Sequence, residues 1–251
     1  MKLKPCSHAQ EPEGLYSSEF FVQEFEYSRR AASVVVPLVL NMVPARSVVD
    51  VGCGLAQWAA EFLANGVEEV WGIDGDYVDR ALLQIPRESF VAQDLSEQIR
   101  FDGTVDLAVC LEVAEHLPES RAAGLIADLT TLAPCVLFSA AMPEQGGLNH
   151  MNEQYLSYWV KLFEEQGFRG VDAIRPQILG NELVAWWYQQ NIVLFAAPGH
   201  PLLDLGLRPP FDIVHRELYE QLRTTPPSLR KMIVNFPGAL RRSIYRRLGF
   251  K

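Results

Sequence analysis

Short apolar runs alternate with helix-spaced apolar positions through the middle of the chain. Residues 48–51 form a β-branched run, and the apolar positions that follow, from Leu55 to Leu63, recur at helical spacing. The same pattern predicts strands at 69–74, 89–92, 105–111, 135–140, 171–178 and 189–197, and helices at 125–132 and 153–166. Strands that alternate with helices predict the α/β class, here a three-layer sandwich whose mostly parallel sheet has seven strands.

This pattern also divides the chain into three parts. The pattern of residues 1–46 predicts a polar leader followed by a helical lid. In the lid, aromatic and apolar residues mix with charged ones up to Pro44, which ends the helical pattern. Residues 47–197 carry the alternation of strands and helices. Residues 198–251 predict a helical C-terminal extension, which begins at a Pro-Gly-His-Pro sequence and contains further prolines.

Composition narrows the class of protein. The 251 residues are 49% hydrophobic and 21% charged, as in ordinary globular proteins. The longest apolar run, residues 34–45, contains two prolines and is shorter than the ~20 residues that a membrane span needs. The first residues lack the apolar stretch of a secretory signal, so we expect a cytoplasmic protein. The four cysteines form no Cys-x-x-Cys pair, and we expect no metal site.

The charge is unevenly distributed along the chain. The net charge is -9, yet the segment from Arg208 to the end has ten Lys/Arg and three Asp/Glu. Its last residues alternate arginines with apolar side chains, a basic amphipathic pattern that fits a peripheral membrane contact, an acidic partner or this protein's own acidic body. Nucleic acid is not expected as a partner, because the acidic body would repel a phosphate backbone.

A glycine turn follows the first predicted strand, at the edge where open α/β sheets bind ligands. It reads Asp50-Val-Gly52-Cys-Gly54, and its glycines allow a ligand to approach the backbone closely. Asp50, just ahead of the glycines, suits a ligand with an ammonium and a sulfonium better than one with a pyrophosphate. Gln57 stands where the dinucleotide pattern has its third glycine, which disfavours a nicotinamide cofactor.

Acidic residues also end the next two predicted strands. Asp74 ends the second, from which a carboxylate can accept hydrogen bonds from ribose, and Asp94 ends the third, where it could meet an adenine. Residues 111–117 then read Leu-Glu-Val-Ala-Glu-His-Leu. Together with residues 48–56, this ordered set resembles the class I, Rossmann-like S-adenosylmethionine-dependent methyltransferases, and among them the small-molecule enzymes of the ubiquinone-biosynthesis type.

The resemblance covers about residues 20–197 and implies a Rossmann-like methyltransferase fold with S-adenosylmethionine as cofactor. It implies transfer of the methyl group to a small molecule; the alternative is a non-catalytic S-adenosylmethionine-binding subunit with a regulatory or assembly role. In the resembling family, a helix near residues 20–27 would close over the cofactor, although simple packing on the sheet also fits. The residues assigned to the cofactor are Asp50, Gly52 and Gly54 for methionine, Asp74 for ribose, Asp94 with Leu95 for adenine, and Glu112 near the transfer site.

Two histidines are candidates for the transfer chemistry. Methyl transfer to a hydroxyl needs alignment of the reactants and removal of a proton, and an imidazole titrates near neutral pH. His150, in a polar loop after the fifth strand, is our first candidate for the base, and His116 is the second. The loop could instead cap the next helix through Asn149, His150 and Asn152, and His116 could only shape the pocket. We expect a hydroxyl acceptor, by analogy a sugar or glycan-related one.

Other notable residues have simpler interpretations. Aromatic side chains at helical spacing, from Tyr155 to Phe163, are favoured as core packing over a substrate pocket. Residues 186–188, Trp-Trp-Tyr, are interpreted mainly as sheet packing before the last strand. Cys53 flanks the glycine turn without an evident base, which argues against a nucleophilic role.

Overall fold

The computed structural model describes residues 18–224, with side chains from residue 26 onward. The helices are α1 Ser18–Met42, α2 Gln57–Ala64, α3 Glu119–Leu132, α4 Leu156–Glu165, α5 Arg175–Ile178, α6 Trp186–Asn191 and α7 Arg216–Thr224. The strands are β1 Ser47–Val51, β2 Glu69–Asp74, β3 Phe90–Ala92, β4 Leu107–Leu111, β5 Cys135–Ser139, β6 Arg169–Val171 and β7 Val193–Ala196. Short 3₁₀ turns cover Arg87–Ser89, Ala114–His116 and Pro201–Leu205.

The seven strands form one sheet in the order β3-β2-β1-β4-β5-β7-β6. Strands β1 to β5 pair in parallel with one another, whereas β7 runs antiparallel to both β5 and β6. The prediction of a mostly parallel seven-stranded sheet is confirmed. From β1 the chain continues to β2 and β3 on one side and then returns to β4 on the other side of β1. Open α/β sheets bind ligands in the crevice at such a reversal of direction.

Both faces of the sheet are covered by helices. In β1, Val48 packs on the side of α1 and α2, whereas Val49 packs on the side of α3 and α4. Every residue of β4 and β5 is buried, as expected for strands with a helical layer on each face. The predicted three-layer architecture is therefore confirmed.

The predicted strand at 171–178 is wrong over most of its length. Strand β6 ends at Val171, and α5 follows it. Pro176 cannot donate to a strand ladder, but the first turn of a helix tolerates it. Arg175 is held there by two hydrogen bonds to Asp172, at 2.7 and 2.9 Å. The apolar pattern of the sequence does not show this buried ion pair.

The predicted strand at 189–197 starts too early, because α6 occupies its first residues and β7 begins only at Val193. Residues 186–188 open α6, yet Trp187 and Tyr188 pack in the apolar cluster on one face of the sheet, as the packing interpretation predicted. Gln189 gives a physical reason: its side chain accepts from the N–H of Gly180 at 2.7 Å and donates to the carbonyl of Val184 at 2.6 Å. These tertiary bonds anchor a helical turn that alternation alone does not predict.

The predicted N-terminal helical segment is one helix, α1, which continues through Pro37, and the predicted leader lies outside the described residues. At the other end, Leu202 is buried in the core, and the N–H of Asp172 donates to the carbonyl of Arg208 at 2.9 Å. The first compact unit therefore extends past the expected boundary at 197 to Ile213.

A second unit begins at Val214 and includes α7. Most of the predicted basic extension, residues 225–251, lies outside the described residues. Within residues 18–224, no helix is both long and apolar enough to cross a membrane.

Candidate active site

The glycine turn between β1 and α2 has the backbone conformation that glycine permits. Gly52 has φ 77° and Gly54 has φ 52°. A Cβ on Gly52 would lie 2.3 Å from a methyl group of Val113, so no side chain fits there. The N–H of Gly52 also donates to the carbonyl of Ile73 at 2.8 Å, which holds the turn against β2.

A cleft of about 1060 Å³ opens at the carboxyl ends of β1 to β4. Six of the nine predicted site residues line it, whereas Asp50, Gly54 and His150 lie around it without lining it. Tyr77 also lines the cleft, although the sequence did not lead us to predict it. Its position, three residues after Asp74 at the end of β2, is the signal that could have identified Tyr77. The six predicted lining residues are Gly52, Asp74, Asp94, Leu95, Glu112 and His116.

Asp74 connects the second strand to the glycine turn. Its Oδ2 accepts from the N–H of Gly54 at 2.7 Å, and its Oδ1 accepts from the N–H of Gly75 at 2.6 Å. The hydroxyl of Tyr77 donates to the same Oδ1. The Tyr77 ring is 84% exposed and lies where a Cβ of Gly75 would stand. The exposed hydroxyl of Tyr77 therefore occupies one hydrogen-bond acceptor position of the buried Asp74 carboxylate.

Asp50 lies beneath the turn, and one of its carboxylate oxygens has no partner. It is 3% exposed, and Oδ2 makes no hydrogen bond. Burial, and secondarily the charge of Asp74, raises the pKa of Asp50 from 3.8 to about 7. A buried carboxylate with an unused oxygen is a suitable partner for a ligand's ammonium group.

Asp94 follows β3 and is exposed. It accepts hydrogen bonds from the N–H of Ser96 at 2.9 Å and from its hydroxyl at 2.7 Å. The Ser96 side chain lowers the pKa of Asp94, so the carboxylate is ionised near neutral pH. The neighbouring Leu95 is almost buried and gives this end of the cleft an apolar wall.

Glu112 occupies a strained turn at the end of β4, with φ 53°. Its carboxylate accepts from the side-chain amides of Gln145 at 2.8 Å and Asn191 at 3.2 Å. Burial raises the pKa of Glu112 despite these bonds. The sequence reasoning did not identify the two amides, because they come from a loop and from α6, far away along the chain.

The two candidate histidines lie together. Their ring centroids are 4.8 Å apart and the planes are nearly perpendicular, at 86°. Nδ1 of His150 lies 3.0 Å from Oε1 of Glu153, whose carboxylate also accepts the backbone N–H groups of Glu144 and Gly146. Burial and the neighbouring His150 lower the pKa of His116. The structure thus forms a paired imidazole site at one edge of the cleft.

The alternative role of the loop as a helix cap is wrong. The N-terminal capping position of α4 is Tyr155, and it makes no side-chain capping bond. The first-turn N–H of Ser157 is instead satisfied by Asp212 at 2.8 Å. The capping position of α4 is therefore not held by His150 or Asn152.

Glu115 lies directly beside the histidine pair. It is fully buried, and neither carboxylate oxygen has a hydrogen-bond partner. Burial, and then the charge of Glu112, raises the pKa of Glu115 well above its ordinary value. One ligand atom each from Glu115, His116 and His150 lies within 4.8 Å of the others, so the group could hold a metal ion. The spacing of 34 residues between the histidines hides this group from sequence patterns.

The simpler sequence interpretations agree with the structure. Trp159 and Phe163 are buried against Phe138, so most of the aromatic face of α4 is core, although Tyr155 is exposed. Cys53 is buried, and burial raises the pKa of its thiol far above the ordinary value. A thiol of this kind is a poor nucleophile.

Comparisons with known proteins agree with this geometry. A family profile described as a methyltransferase domain matches residues 23–161. The chloroplastic magnesium protoporphyrin IX methyltransferase of Arabidopsis thaliana is 30% identical over 94 residues. That match covers 35% of this chain and only 30% of the plant protein.

Solved structures share the fold. Magnesium protoporphyrin IX methyltransferase of Synechocystis PCC 6803, with bound S-adenosylmethionine, has a TM-score of 0.52 at 20% identity, over 74% of this chain and 86% of its own. An O-methyltransferase family protein of Burkholderia thailandensis has a TM-score of 0.51 at 12% identity, over 72% and 59% of the two chains. The chain therefore belongs to the family of proteins with a methyltransferase domain.

Proposed function

We propose that this enzyme methylates an oxygen of a small-molecule acceptor, with His150 or His116 assisting removal of the proton. The observation that carries the proposal is the histidine pair, whose ring centroids are 4.8 Å apart at the edge of the cleft. Glu153 supports one of the rings at 3.0 Å. An oriented imidazole beside a carboxylate is a common arrangement for moving a proton at neutral pH.

The residues of the cleft fit S-adenosylmethionine piece by piece. The unpartnered oxygen of Asp50 would meet the ammonium group, and Asp94 with Leu95 would face the adenine. Asp74 would accept the ribose hydroxyls, which would take the position now held by the Tyr77 hydroxyl. The cofactor supplies an activated methyl group, and these residues would bind and orient it.

The transfer itself is an in-line displacement. An oxygen lone pair of the acceptor forms the new C–O bond, while the C–S bond breaks and its electron pair stays on sulfur, which gives S-adenosylhomocysteine. The hydroxyl proton leaves with the help of an imidazole. In this proposal Glu153 keeps the ring of His150 oriented.

Several polar side chains reach the cleft and would bind a polar acceptor. Gln93, Glu112, His116 and Asn149 bring hydrogen-bonding groups to it, which suits a hydroxyl-rich molecule such as a sugar or a glycan-related compound. A second candidate is magnesium protoporphyrin IX, because the Arabidopsis thaliana relative that is 30% identical over 94 residues is named for it. The two candidates differ strongly in polarity and can be tested side by side.

The test is methyl transfer from labelled S-adenosylmethionine. The enzyme is incubated with sugars and glycan precursors, with magnesium protoporphyrin IX, and with a cell extract, and both S-adenosylhomocysteine and the labelled product are measured. We expect an oxygen-methylated polar product. Labelling of nitrogen or carbon only would contradict the proposal. Labelling of the porphyrin alone would select the second candidate.

We also propose that the basic C-terminal extension contacts an anionic surface. Arg241, Arg242, Arg246 and Arg247 alternate with apolar residues there. Co-sedimentation with phosphatidylserine vesicles should fall when Arg241 and Arg242 are both changed to Glu, while binding of S-adenosylmethionine stays unchanged. Equal sedimentation of the two proteins would favour the alternative, in which the extension contacts this protein's own acidic body.

A further inference from the structure

We propose that Arg121, paired with Asp128, is a positioning residue that holds the loop 94–99 in the conformation that receives the adenine of the cofactor. The loop carries Asp94 and Leu95, which line the cleft and which the proposed complex places at the adenine. Arg121 lies in the first turn of α3 and acts on the cofactor through this loop. This role rests on the proposed position of the adenine.

The loop 94–99 belongs to a connection that has no helix of its own. Residues 93–106 lead from β3 to β4, and the structure, which describes all of them, has no helix there. The side-chain amide of Gln93 bonds the backbone of Arg100 at 2.6 and 2.8 Å and closes the base of the loop. Asp94 bonds to Ser96 within the loop. These bonds shape the loop but do not attach it to the rest of the fold.

Arg121 and Asp128 provide that attachment. Nε of Arg121 donates to the carbonyl of Leu95 at 3.0 Å, and its Nη2 donates to the carbonyl of Glu97 at 2.7 Å. Oδ2 of Asp128 accepts from the same Nη2 and from the N–H of Ile99 at 3.0 Å. One ion pair on α3 therefore holds three backbone groups of the loop.

The ion pair lies in the interior of the protein. The side chains of Arg121 and Asp128 are only 9% and 10% exposed. A buried guanidinium is costly unless its N–H groups are bonded, so the loop cannot leave α3 without removing acceptors that this charge needs. A loop that is already held in its bound conformation loses less entropy when a ligand arrives. The ion pair should therefore increase affinity for the adenine.

Gly124 makes room for the guanidinium. It lies in the interior of α3, where glycine is less favourable than alanine, and it is exposed to solvent. A Cβ at this position would lie 2.5 Å from Nη1 of Arg121. The absence of a side chain here lets Arg121 extend along the helix, which helix formation by itself does not require. The sequence of α3 is thus adapted to the position of this guanidinium.

The test measures binding of adenosine and of S-adenosylhomocysteine to the complete chain by calorimetry. Arg121→Lys keeps the charge, but an ammonium cannot reproduce the planar fork that meets two carbonyls and a carboxylate. It should weaken binding of both ligands by the same factor, about tenfold, with one ligand still bound per chain. Gly124→Ala should also weaken both, although less. The matched control is Ala123→Ser at the exposed neighbouring position, which should leave both affinities unchanged.

Hydrogen exchange distinguishes a positioning role from a general contribution to stability. In Arg121→Lys the amide groups of the loop 94–99 should exchange faster, while those of β1 and β4 keep their protection. Faster exchange throughout the sheet, together with unchanged affinity for adenosine, would mean that Arg121 only stabilises the fold and would overturn the proposal.

Asp94→Ala tests the position of the adenine separately. If this variant binds adenosine more weakly but Arg121→Lys and Gly124→Ala do not, the positioning role is wrong and the position of the adenine stands. If Asp94→Ala binds adenosine as the parent does, the position of the adenine is wrong and the positioning role fails with it. If Arg121→Lys does not fold, Gly124→Ala decides, because it retains both members of the ion pair.

Discussion

The backbone N–H of Gly54 donates a 2.7 Å hydrogen bond to Oδ2 of Asp74, which ties the turn after β1 to the end of β2. The carboxylate therefore shapes the glycine turn and lines the cleft at the same time. A change at Asp74 should alter the turn as well as any direct contact with the cofactor.

Asp74→Ala should weaken S-adenosylmethionine binding more than Asp74→Asn. Hydrogen bonds to a charged group contribute about 1.5–3 kcal/mol, so the alanine variant should lose roughly tenfold to hundredfold in affinity. Asparagine keeps one oxygen that can accept the Gly54 N–H and should lose less. Calorimetric titration measures both, with Glu88→Ala, outside the cleft, as the control. Equal affinities for all four proteins would show that Asp74 has neither role.

Tyr77→Phe tests whether the phenol competes with the ribose. The hydroxyl now donates to the oxygen that the ribose would use, so its removal should leave affinity unchanged or raise it by up to about tenfold. The ring itself remains over Gly75. A tenfold fall in affinity in the same titration would mean instead that the hydroxyl contacts the bound cofactor.

Binding of the cofactor should release protons, because it should favour ionisation of Asp50. Its pKa of about 7 means that the carboxyl group is partly protonated at pH 6–7, and a neighbouring ammonium would favour ionisation. Titrations at pH 6.5 in two buffers with different ionisation enthalpies should reveal the release. Asp50→Asn should bind more weakly and lose this component. Identical buffer dependence in both proteins would show that Asp50 does not contact the ammonium group of the cofactor.

The same pKa shift has a consequence for stability without cofactor. Because the folded pKa lies above the unfolded value of 3.8, the folded state binds more protons between about pH 4 and 7. The free energy of unfolding therefore falls as pH rises through this window and stays lower above it. Asp50→Asn should flatten that slope in thermal unfolding measured from pH 5 to 8.

Strand ends and glycines made part of the site predictable from sequence. Asp74 ends β2 and Asp94 closely follows β3, so their position at one edge of the parallel sheet follows from the topology. The cluster of Glu115, His116 and His150 does not follow, because backbone bonds across the fold bring the loop to the turn. Likewise, α5 and α6 depend on buried polar anchors, Arg175 and Gln189, which an apolar pattern does not reveal.

Gly52→Ala should disrupt the turn through two separate effects. The new Cβ would lie 2.3 Å from Val113, and φ 77° is unfavourable for alanine by about 1–2 kcal/mol. Adding Val113→Ala should relieve only the clash. A double-mutant cycle of unfolding free energies should therefore show coupling, with the double variant more stable than additivity predicts but less stable than the parent. Strict additivity would mean that the clash relaxes elsewhere.

His150→Ala should slow turnover far more than it weakens cofactor binding. Loss of an oriented group that assists proton removal costs about 10²–10⁴ in kcat, whereas S-adenosylmethionine contacts other side chains of the cleft in the proposed complex. Glu153→Gln removes the charge that holds the ring at 3.0 Å and should give a smaller loss of kcat with an altered pH profile. The comparison protein is His200→Ala, whose imidazole serves a 3₁₀ turn outside the cleft. An unchanged kcat in His150→Ala with the acceptor saturating would transfer the role to His116, which its own alanine variant then tests.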